Sequence, residues 1–397
     1  MRHRASATAL DRTDPKGSHD AMSTISFRSN TAPTIGVELE LALVDAKTFA
    51  LSNSIERVLP LVPSELLSSI KPELMQSYIE INTDVCVSVG DADRDLTAKL
   101  RCVEEIADQL DLRLYWTGTH PFSLWRDQKV TPNERYAELI NLLQDMARQL
   151  VCFGLHVHVG VDSGDKAVMI CDRIMRYLPV LLALSCNSPW WESRVSGLHS
   201  HRAKIMEGLS TAGLPPLMRN WSEYVWLVTH LVETGFINTI REIWWDVRPH
   251  HNFGTVEVRM CDMPGNLDDS LAIAALVQCL VKALSDEIDQ GTYQHDCHPM
   301  MVRQNKWRAS RFGLEAELVD PFTCAPHPVR DTVFELVDKL RPISQELDCS
   351  IYLDRVAQLA SGKSWAARQL RALQETNDPV ETVRRFCDLS RVRSKDP

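Results

Sequence analysis

Two segments place charged or imidazole side chains at every second position of otherwise apolar runs. "TIGVELELAL" (34–43) carries Glu38 and Glu40, and "GLHVHVGV" (154–161) carries His156 and His158. Side chains two positions apart on a β-strand point to the same face. Each segment is therefore predicted to be a strand with one apolar face and one titratable face. Two buried like charges repel each other and lose hydration, so a positive partner is expected between them.

Two further segments show the same alternation. They are "QSYIEINTD" (76–84) and "GTVEVRMCD" (254–262). Their predicted polar faces carry Tyr78, Glu80 and Asn82 in the first and Thr255, Glu257 and Arg259 in the second. If these strands share one sheet, its polar face gathers carboxylates, imidazoles and one guanidinium.

Carboxylates with one or two imidazoles are hard ligands that suit Mg²⁺ or Mn²⁺ better than Zn²⁺. Because Mg²⁺ usually completes its shell with water and substrate phosphates, several carboxylates indicate two or more ions bound with a nucleotide. Arg259 shares the face of Glu257 and could contact a transferring phosphoryl group. Each residue also has an ordinary interpretation, since a strand glutamate is commonly solvated and an H-x-H pair is commonly two sheet histidines. The coincidence over four strands favours a metal site.

Neither a Walker A motif nor a G-x-G-x-x-G after a strand occurs, so a bound nucleotide would depend on metal ions and side chains of the sheet. Other cationic groups are available elsewhere in the chain, and each could equally be an ordinary ion pair. They lie in "SHRA" (His201, Arg202), "WDVRP" (Asp246, Arg248) and "NKWRASRFG" (Lys306, Arg308, Arg311).

Helical periodicity alternates with these strands and defines the fold class. Apolar spacing predicts helices over 91–111, 133–151, 165–186 with a kink at Pro179, 221–234, 267–289, 328–346 and 352–375, a strand in "LRLYWTGTH" (112–120) and a loop over 208–220. Clean alternation is typical of antiparallel sheets with one covered face. The prediction is an α+β fold in which helices cover the apolar face of a curved, mainly antiparallel sheet.

Composition narrows the class of protein. The chain has 397 residues, of which 44% are hydrophobic, and a net charge of −10, which argues against general nucleic-acid or membrane-surface binding. The 11 scattered cysteines indicate free thiols in a reducing, cytoplasmic environment, and neither a secretory signal nor a membrane span is recognisable. We expect a disordered extension over 1–30 with Met22 as an alternative start, a single catalytic domain over 31–380, and a polar tail over 381–397.

Ordered segments over roughly 33–315 closely resemble the type 2 glutamate–cysteine ligase family, the carboxylate–amine ligases of the YbdK type. The matching segments are "GVELEL", "ELMQSYIEINTDVC", "GTHPF", "NERY", "FGLHVHVGV", "SHRA", "WWDVRP", "FGTVEVRMCD" and "NKWRASRFGLE". The resemblance implies a fold like glutamine synthetase and guanidino kinases. It also implies ATP- and Mg²⁺-dependent joining of an amino-acid carboxylate to an amine, with Mn²⁺ as a substitute, γ-glutamylcysteine as a product, and a homodimer.

The same resemblance assigns roles to individual residues. It implies metal ligands at Glu38, Glu40, Glu80, His156 and Glu257, with His158 beside them. It makes Arg259 the phosphate-facing arginine. It implies that Arg202, Arg248, Lys306 and Arg308 bind anionic groups of the nucleotide or substrate. Arg202 and Arg248 are also catalytic candidates, together with Arg259. It places Thr119, His120, Arg135 and Tyr136 on the acceptor side.

Two other classes of function compete with a ligase. H-x-H on a strand is also a signature of metal-dependent amidohydrolases, which would need that pair early in a βα barrel. A non-catalytic nucleotide-binding regulator would bind ATP without amino-acid-stimulated ADP release, and the intact ligand positions count against it. The physiological acid and amine are not readable from the sequence.

Overall fold

The computed structural model describes residues 25–292, 297–320 and 323–392. Within these ranges the α-helices are α1 (Ile55–Val58), α2 (Val89–Gln109), α3 (Glu134–Leu143), α4 (Asp145–Arg148), α5 (Gly164–Ile174), α6 (Leu178–Ser185), α7 (Arg202–Met206), α8 (Trp221–Glu233), α9 (Leu267–Asp289), α10 (Pro299–Phe312), α11 (Val329–Glu346), α12 (Ser350–Ser361), α13 (Trp365–Thr376) and α14 (Pro379–Ser390). The strands are β1 (Ile35–Asp45), β2 (Ile70–Pro72), β3 (Tyr78–Asn82), β4 (Leu112–Tyr115), β5 (Gly154–Gly160), β6 (Trp190–Trp191), β7 (Arg194–Val195), β8 (Ala212–Gly213), β9 (Trp244–Trp245), β10 (Val247–His250), β11 (Thr255–Asp262), β12 (Glu317–Val319) and β13 (Pro326–Pro328).

The principal sheet has seven strands in the described part of the chain. Its order is β10–β11–β5–β1–β3–β2, and β4 pairs with the end of β1. All of these pairings are antiparallel. The α+β architecture is therefore confirmed. An open antiparallel sheet is not the βα barrel that the amidohydrolase interpretation requires.

The strand register brings the alternating polar residues onto one face. Glu38 of β1 lies opposite His156 of β5, and Glu40 lies opposite Glu80 of β3. Glu257 of β11 lies opposite His158. Because side chains alternate along each strand, this register places the titratable groups in adjacent rows.

Helices cover the apolar face of the sheet. Helix α9 packs on β5, α2 packs on β1, β3 and β4, and α5 packs on β10 and β11. One hydrophobic core runs from Ile35 in β1 to Cys387 in α14. The long central helix α9 begins at an asparagine cap, where Asn266 Oδ1 accepts a hydrogen bond from the Asp269 backbone N–H at 2.8 Å.

Three predicted helices differ from the observed elements. The 133–151 helix is divided into α3 and α4 at Gln144, which has a φ of 50°. The 352–375 helix is divided into α12 and α13 around Gly362. Pro179 lies in the first turn of α6 after a 3₁₀ turn. Since a helix start does not need the missing N–H of proline, Pro179 begins a helix and does not kink one.

The two ends of the described part of the chain are more ordered than their composition predicts. Residues 1–24 of the expected disordered extension, with Met22, lie outside the described residues, but 25–30 pack on the domain, where Phe27 meets Trp221 edge-on with ring centroids 5.3 Å apart. The polar tail expected from 381 is instead largely helical, because α14 buries apolar side chains, among them Phe386, in the core. Residues 393–397 lie outside the described part.

The structure bears on two expectations from composition, which concern the cysteines and membrane-spanning helices. The 11 cysteines are all free, as predicted. In the ranges that the structure describes, no helix has both the length and the apolar character that crossing a bilayer requires.

Candidate active site

Four side chains from three adjacent strands meet at the centre of the polar face. His156 Nδ1 lies 3.0 Å from Glu38 Oε2, and His158 Nε2 lies 3.3 Å from Glu38 Oε1. His158 Nε2 also lies 3.7 Å from Glu257 Oε1. One ligand atom each from Glu38, His156 and Glu257 falls within a 4.8 Å separation, which is compact enough to hold one metal ion.

The central carboxylates are kept ionised. Burial alone would raise the pKa of Glu38, but hydrogen bonds and charge from His156 and His158 hold that pKa well below its usual range. Burial alone would also raise the pKa of Glu257, but the charges of Arg248 and Arg259 hold that pKa well below its usual range. Ionised carboxylates are the form that binds a cation.

A second acidic group extends the site across β1 and β3. Glu40 and Glu80 face each other in register, and Glu80 Oε1 accepts a hydrogen bond from Asn82 Nδ2 at 2.7 Å. Glu73 approaches Glu80 closely enough for a hydrogen bond between the two carboxyl groups. Burial and the Glu80 carboxylate raise the pKa of Glu73 well above its usual range, while burial and the Glu38 charge raise that of Glu80. Two carboxylates in contact need a shared proton or a cation between them.

Glu73 is a site residue that sequence reasoning missed. It directly follows the short edge strand β2, where alternation gives no signal. Its place at the start of the matching segment "ELMQSYIEINTDVC", directly after a strand that pairs with β3, could have indicated it. With Glu73, the acidic groups Glu38, Glu40, Glu73, Glu80 and Glu257 all line one cleft.

Two arginines lie beside Glu257. Arg248 Nε donates to Glu257 Oε2 at 2.7 Å, and Arg259 Nη1 donates to Glu257 Oε1. Both arginines line the cleft, and Arg248 Nη1 also donates to Ile243 O. This end of the cleft is suited to anions, whereas the end at Glu73 and Glu80 is suited to cations.

Arg202 of α7 lies beside Gly154 at the start of β5. Its side chain is buried, Nη1 donates to Met260 O at 3.2 Å, and Nε has no hydrogen-bond partner among the described residues. A Cβ at Gly154 would lie 2.1 Å from Arg202 Nη2, so only glycine at 154 leaves room for this guanidinium. Arg202 lines both the cleft and a small adjoining cavity.

Lys306 from α10 lies in the wall of that adjoining cavity. Its ammonium group pairs with Asp246, and its Nζ lies 2.9 Å from Glu207 Oε1. Burial would lower the pKa of Lys306, but the charges of Asp246 and Glu207 keep it raised. Glu207 could not have been identified from the sequence, because α7 and α10 meet only in the fold.

Three predicted site residues are brought neither to the cleft nor to the adjoining cavity. Arg308 lies two positions after Lys306, which turns it about 200° around the helix, and its Nη1 donates to Glu317 O at 3.0 Å. Thr119 is buried and donates to Trp190 O at 2.7 Å. His120 is also buried, with Nε2 2.9 Å from Phe49 O, and burial lowers its pKa to about 3. These three residues hold neighbouring backbone in place.

The cleft above the polar face has a volume of about 720 Å³. That volume lies in the range of small-molecule sites, which is about 300–1,000 Å³. Arg135 and Tyr136 of α3 also line it. The oxygen-rich donor set, with one or two imidazoles, fits Mg²⁺ or Mn²⁺.

Comparison with known proteins gives one consistent family. The sequence profile described as glutamate–cysteine ligase family 2 matches residues 34–387. A Gloeobacter violaceus protein provisionally named glutamate–cysteine ligase 2 is 41% identical over 362 residues, covering 91% of this chain and 97% of its own. A Frankia alni protein with the provisional name glutamate–cysteine ligase 2-1 is 38% identical over 364 residues, with coverages of 90% and 95%.

Solved structures share the fold at low sequence identity. A Francisella tularensis glutamate–cysteine ligase in complex with AMP has a TM-score of 0.69 at 13% identity, covering 94% of this chain and 91% of its own. A bifunctional glutathione synthetase from Pasteurella multocida has a TM-score of 0.66 at 13% identity, covering 90% of this chain and 52% of its own. From the profile match and the identity to these relatives, the chain belongs to the glutamate–cysteine ligase family 2 and is an enzyme of the ligase class.

Proposed function

We propose that this ligase uses ATP to activate an amino-acid carboxylate as an acyl phosphate and then joins it to an amine. The observation that carries the proposal is the arrangement of one cleft. A carboxylate–imidazole cluster at its centre lies between two half-buried arginines and an acidic wall. Glutamate and cysteine are the first substrate pair to test, since the relatives' names refer to these amino acids.

The chemistry explains why such a site needs many charges. A carboxylate is a poor acylating agent because its leaving group would be oxide. Transfer of the γ-phosphoryl group of ATP to a carboxylate oxygen releases ADP, and the resulting acyl phosphate has phosphate as its leaving group. The amine then attacks the acyl carbon, and phosphate departs as the amide forms. The first step brings two anions together, so catalysis depends on positioning and charge stabilisation.

Mg²⁺ or Mn²⁺ would be held by the acidic and imidazole groups of the polar face. The proposed ligands are Glu38, Glu40, Glu73, Glu80, His156 and Glu257, with His158 beside them. A bound divalent ion supplies positive charge that offsets the repulsion between the triphosphate and the acid substrate. His158 Nδ1 lies 3.0 Å from Thr255 Oγ1, which fixes the orientation of its ring toward Glu38 and Glu257.

The positively charged side chains at the arginine end of the cleft are proposed to bind the anionic groups of the substrates. Arg259 and Arg248 are proposed to contact the transferring phosphoryl group, because both guanidinium groups line the cleft beside Glu257. Arg202, which also lines the cleft, is proposed to act on phosphate or acid-substrate oxygens there. Lys306 is proposed to support this charge from the wall of the adjoining cavity, which has room for about one water molecule. Arg135, Tyr136 and the acidic wall are proposed to form the amine side. The homodimer and the cytoplasmic location remain predictions.

The decisive experiment is a turnover assay with the purified chain. Mg-ATP is incubated with a panel of amino-acid carboxylates and amines, while ADP release and product mass are followed. We expect Mg²⁺-dependent ADP release that needs both substrates and yields an amide of matching mass. Hydrolysis of amides without ATP would instead support an amidohydrolase, and ATP binding without substrate-stimulated ADP release would support a regulator; either result would overturn the proposal.

A further inference from the structure

We propose that Phe253 and His250, at the turn between β10 and β11, form the platform on which the nucleotide base stacks, and that the segment 25–30 holds this turn in place. The inference rests on the proposed use of ATP and adds to it the part of the site that recognises the base. It concerns any planar nucleobase attached to a polyphosphate.

The two rings of the turn are already stacked on each other. The ring centroids of His250 and Phe253 lie 4.1 Å apart with planes inclined by 15°. Phe253 is 55% exposed although it lines the cleft. His158 contacts both rings edge-on, with centroids 5.5 Å and 5.6 Å away, and so links the platform to the central cluster. A rigid ring pair with a large exposed surface is suited to covering by another aromatic ring.

The charged side chains of the cleft indicate which end of the cleft holds the phosphates of the nucleotide. The triphosphate is expected at the end of Arg248 and Arg259, because guanidinium groups bind phosphate oxygens. Phe253 meets His158 edge-on, and His158 Nε2 lies 3.7 Å from Glu257 Oε1, so the platform adjoins the arginine end of the cleft. A nucleotide with its phosphates beside Glu257 can therefore place its base at the turn.

The segment 25–30 fixes the turn from outside the region that matches the family profile, which begins at residue 34. The Arg28 backbone N–H donates to His251 O at 2.9 Å, and Asn30 Nδ2 donates to Phe253 O at 2.7 Å and to Gly254 O at 3.1 Å. Gly254 has a φ of +64°, and a Cβ there would lie 1.7 Å from Arg28 O. The segment and the turn are therefore closely fitted, and Asn30 is a positioning residue for the platform.

The test separates base contacts from phosphate contacts. Binding of Mg-ADP and of Mg-tripolyphosphate, which has no base, is measured by calorimetry for the wild-type chain and for Phe253→Ala. We expect Phe253→Ala to weaken Mg-ADP binding about tenfold, the effect of losing one base–aromatic stack, and to leave Mg-tripolyphosphate binding unchanged. Asn30→Ala should show the same selectivity with a smaller loss of about threefold, typical of a lost hydrogen bond.

A matched control is available in Phe236, which is 72% exposed and does not line the cleft. Phe236→Ala should bind both probes like the wild-type chain. Equal Mg-ADP affinity in Phe253→Ala and wild type, or equal weakening of both probes, would overturn the platform while leaving the proposed ligase intact. Failure of the wild-type chain to bind Mg-ADP at all would overturn the proposed function and the platform together.

Discussion

Glu38 and His156 face each other across β1 and β5, with the imidazole Nδ1 3.0 Å from the carboxylate Oε2. The register of the two strands creates this contact, and His158 completes it from two positions further along the same strand. The two carboxylate oxygens of Glu38 therefore each contact an imidazole, that of His156 or that of His158. Both imidazoles are themselves candidate ligands, so carboxylate and imidazole donors for a metal ion lie together at this point.

Replacing Glu38 with glutamine tests this relationship. The substitution keeps the side-chain shape but removes the charge that would attract Mg²⁺, so we expect turnover to fall by at least about 100-fold. The melting temperature should change little, because the amide can still hydrogen-bond to His156. ADP release and thermal unfolding are measured together. The exposed Glu56 provides the control, and Glu56→Gln should keep full activity; full activity in Glu38→Gln would contradict the metal-ligand assignment.

Glu73→Gln should change how stability depends on pH. Burial and the Glu80 carboxylate raise the pKa of Glu73, so the folded chain holds a proton that the unfolded chain releases. The contribution of this proton to the stability of the fold is complete below the ordinary carboxylate pKa of 4.5. It is lost as the pH rises through the folded-state pKa of Glu73. Without Mg²⁺, the urea midpoint of the wild-type chain should therefore fall more steeply from pH 5 to pH 8 than that of Glu73→Gln.

At pH 8, added Mg²⁺ should raise the urea midpoint of the wild-type chain more than that of Glu73→Gln. The ion binds the folded wild-type site and stabilises it by mass action, whereas the variant offers one carboxylate fewer. Glu65→Gln, at an exposed position, should follow the wild-type chain under both conditions. Identical pH slopes for Glu73→Gln and wild type would show that Glu73 does not share a proton with Glu80.

Alternation predicted the centre of the site because strand geometry determines it. Glu38, His156 and Glu257 could be placed on one face from a period of two alone, and the register then followed from sheet pairing. Glu73 and Glu207 could not, since one follows an edge strand and the other comes from a short helix that meets the sheet only in the tertiary fold. Thr119 and His120 show the limit of motif resemblance, which locates a segment but not the direction of its side chains.

The elements themselves were predictable to a similar degree. Apolar periodicity identified the long helices α2 and α9 nearly to their ends. It missed the interruptions at Gln144 and Gly362, because a local change of backbone direction leaves the apolar spacing on either side intact. It also missed α14, whose apolar residues are separated by many charges and bury themselves only against a core formed elsewhere in the chain.

Gly154→Ala should disturb Arg202 while keeping the backbone N–H of residue 154, which donates to the proposed ligand Glu40. A Cβ at 154 overlaps the guanidinium, so that group must move away from the cavity wall. We expect kcat/KM to fall about tenfold or more, because small displacements of positioned groups are costly to catalysis. In an Arg202→Ala background, Gly154→Ala should have little additional effect, and a double-mutant cycle measures this. Additive losses would mean that the glycine matters for another reason.

The C-terminal helix α14 should contribute to global stability. Phe386 is 5% exposed and meets Trp365 with ring centroids 5.9 Å apart, while Ser390 Oγ donates to Gly265 O at 2.6 Å. Phe386→Ala removes a buried ring and should lower the free energy of unfolding by about 3–5 kcal/mol. Leu389, 61% exposed on the same helix, is the matched control, and Leu389→Ala should cost no more than about 0.5 kcal/mol. Urea unfolding of both variants distinguishes the two cases, since a polar tail without tertiary contacts would make both substitutions equally mild.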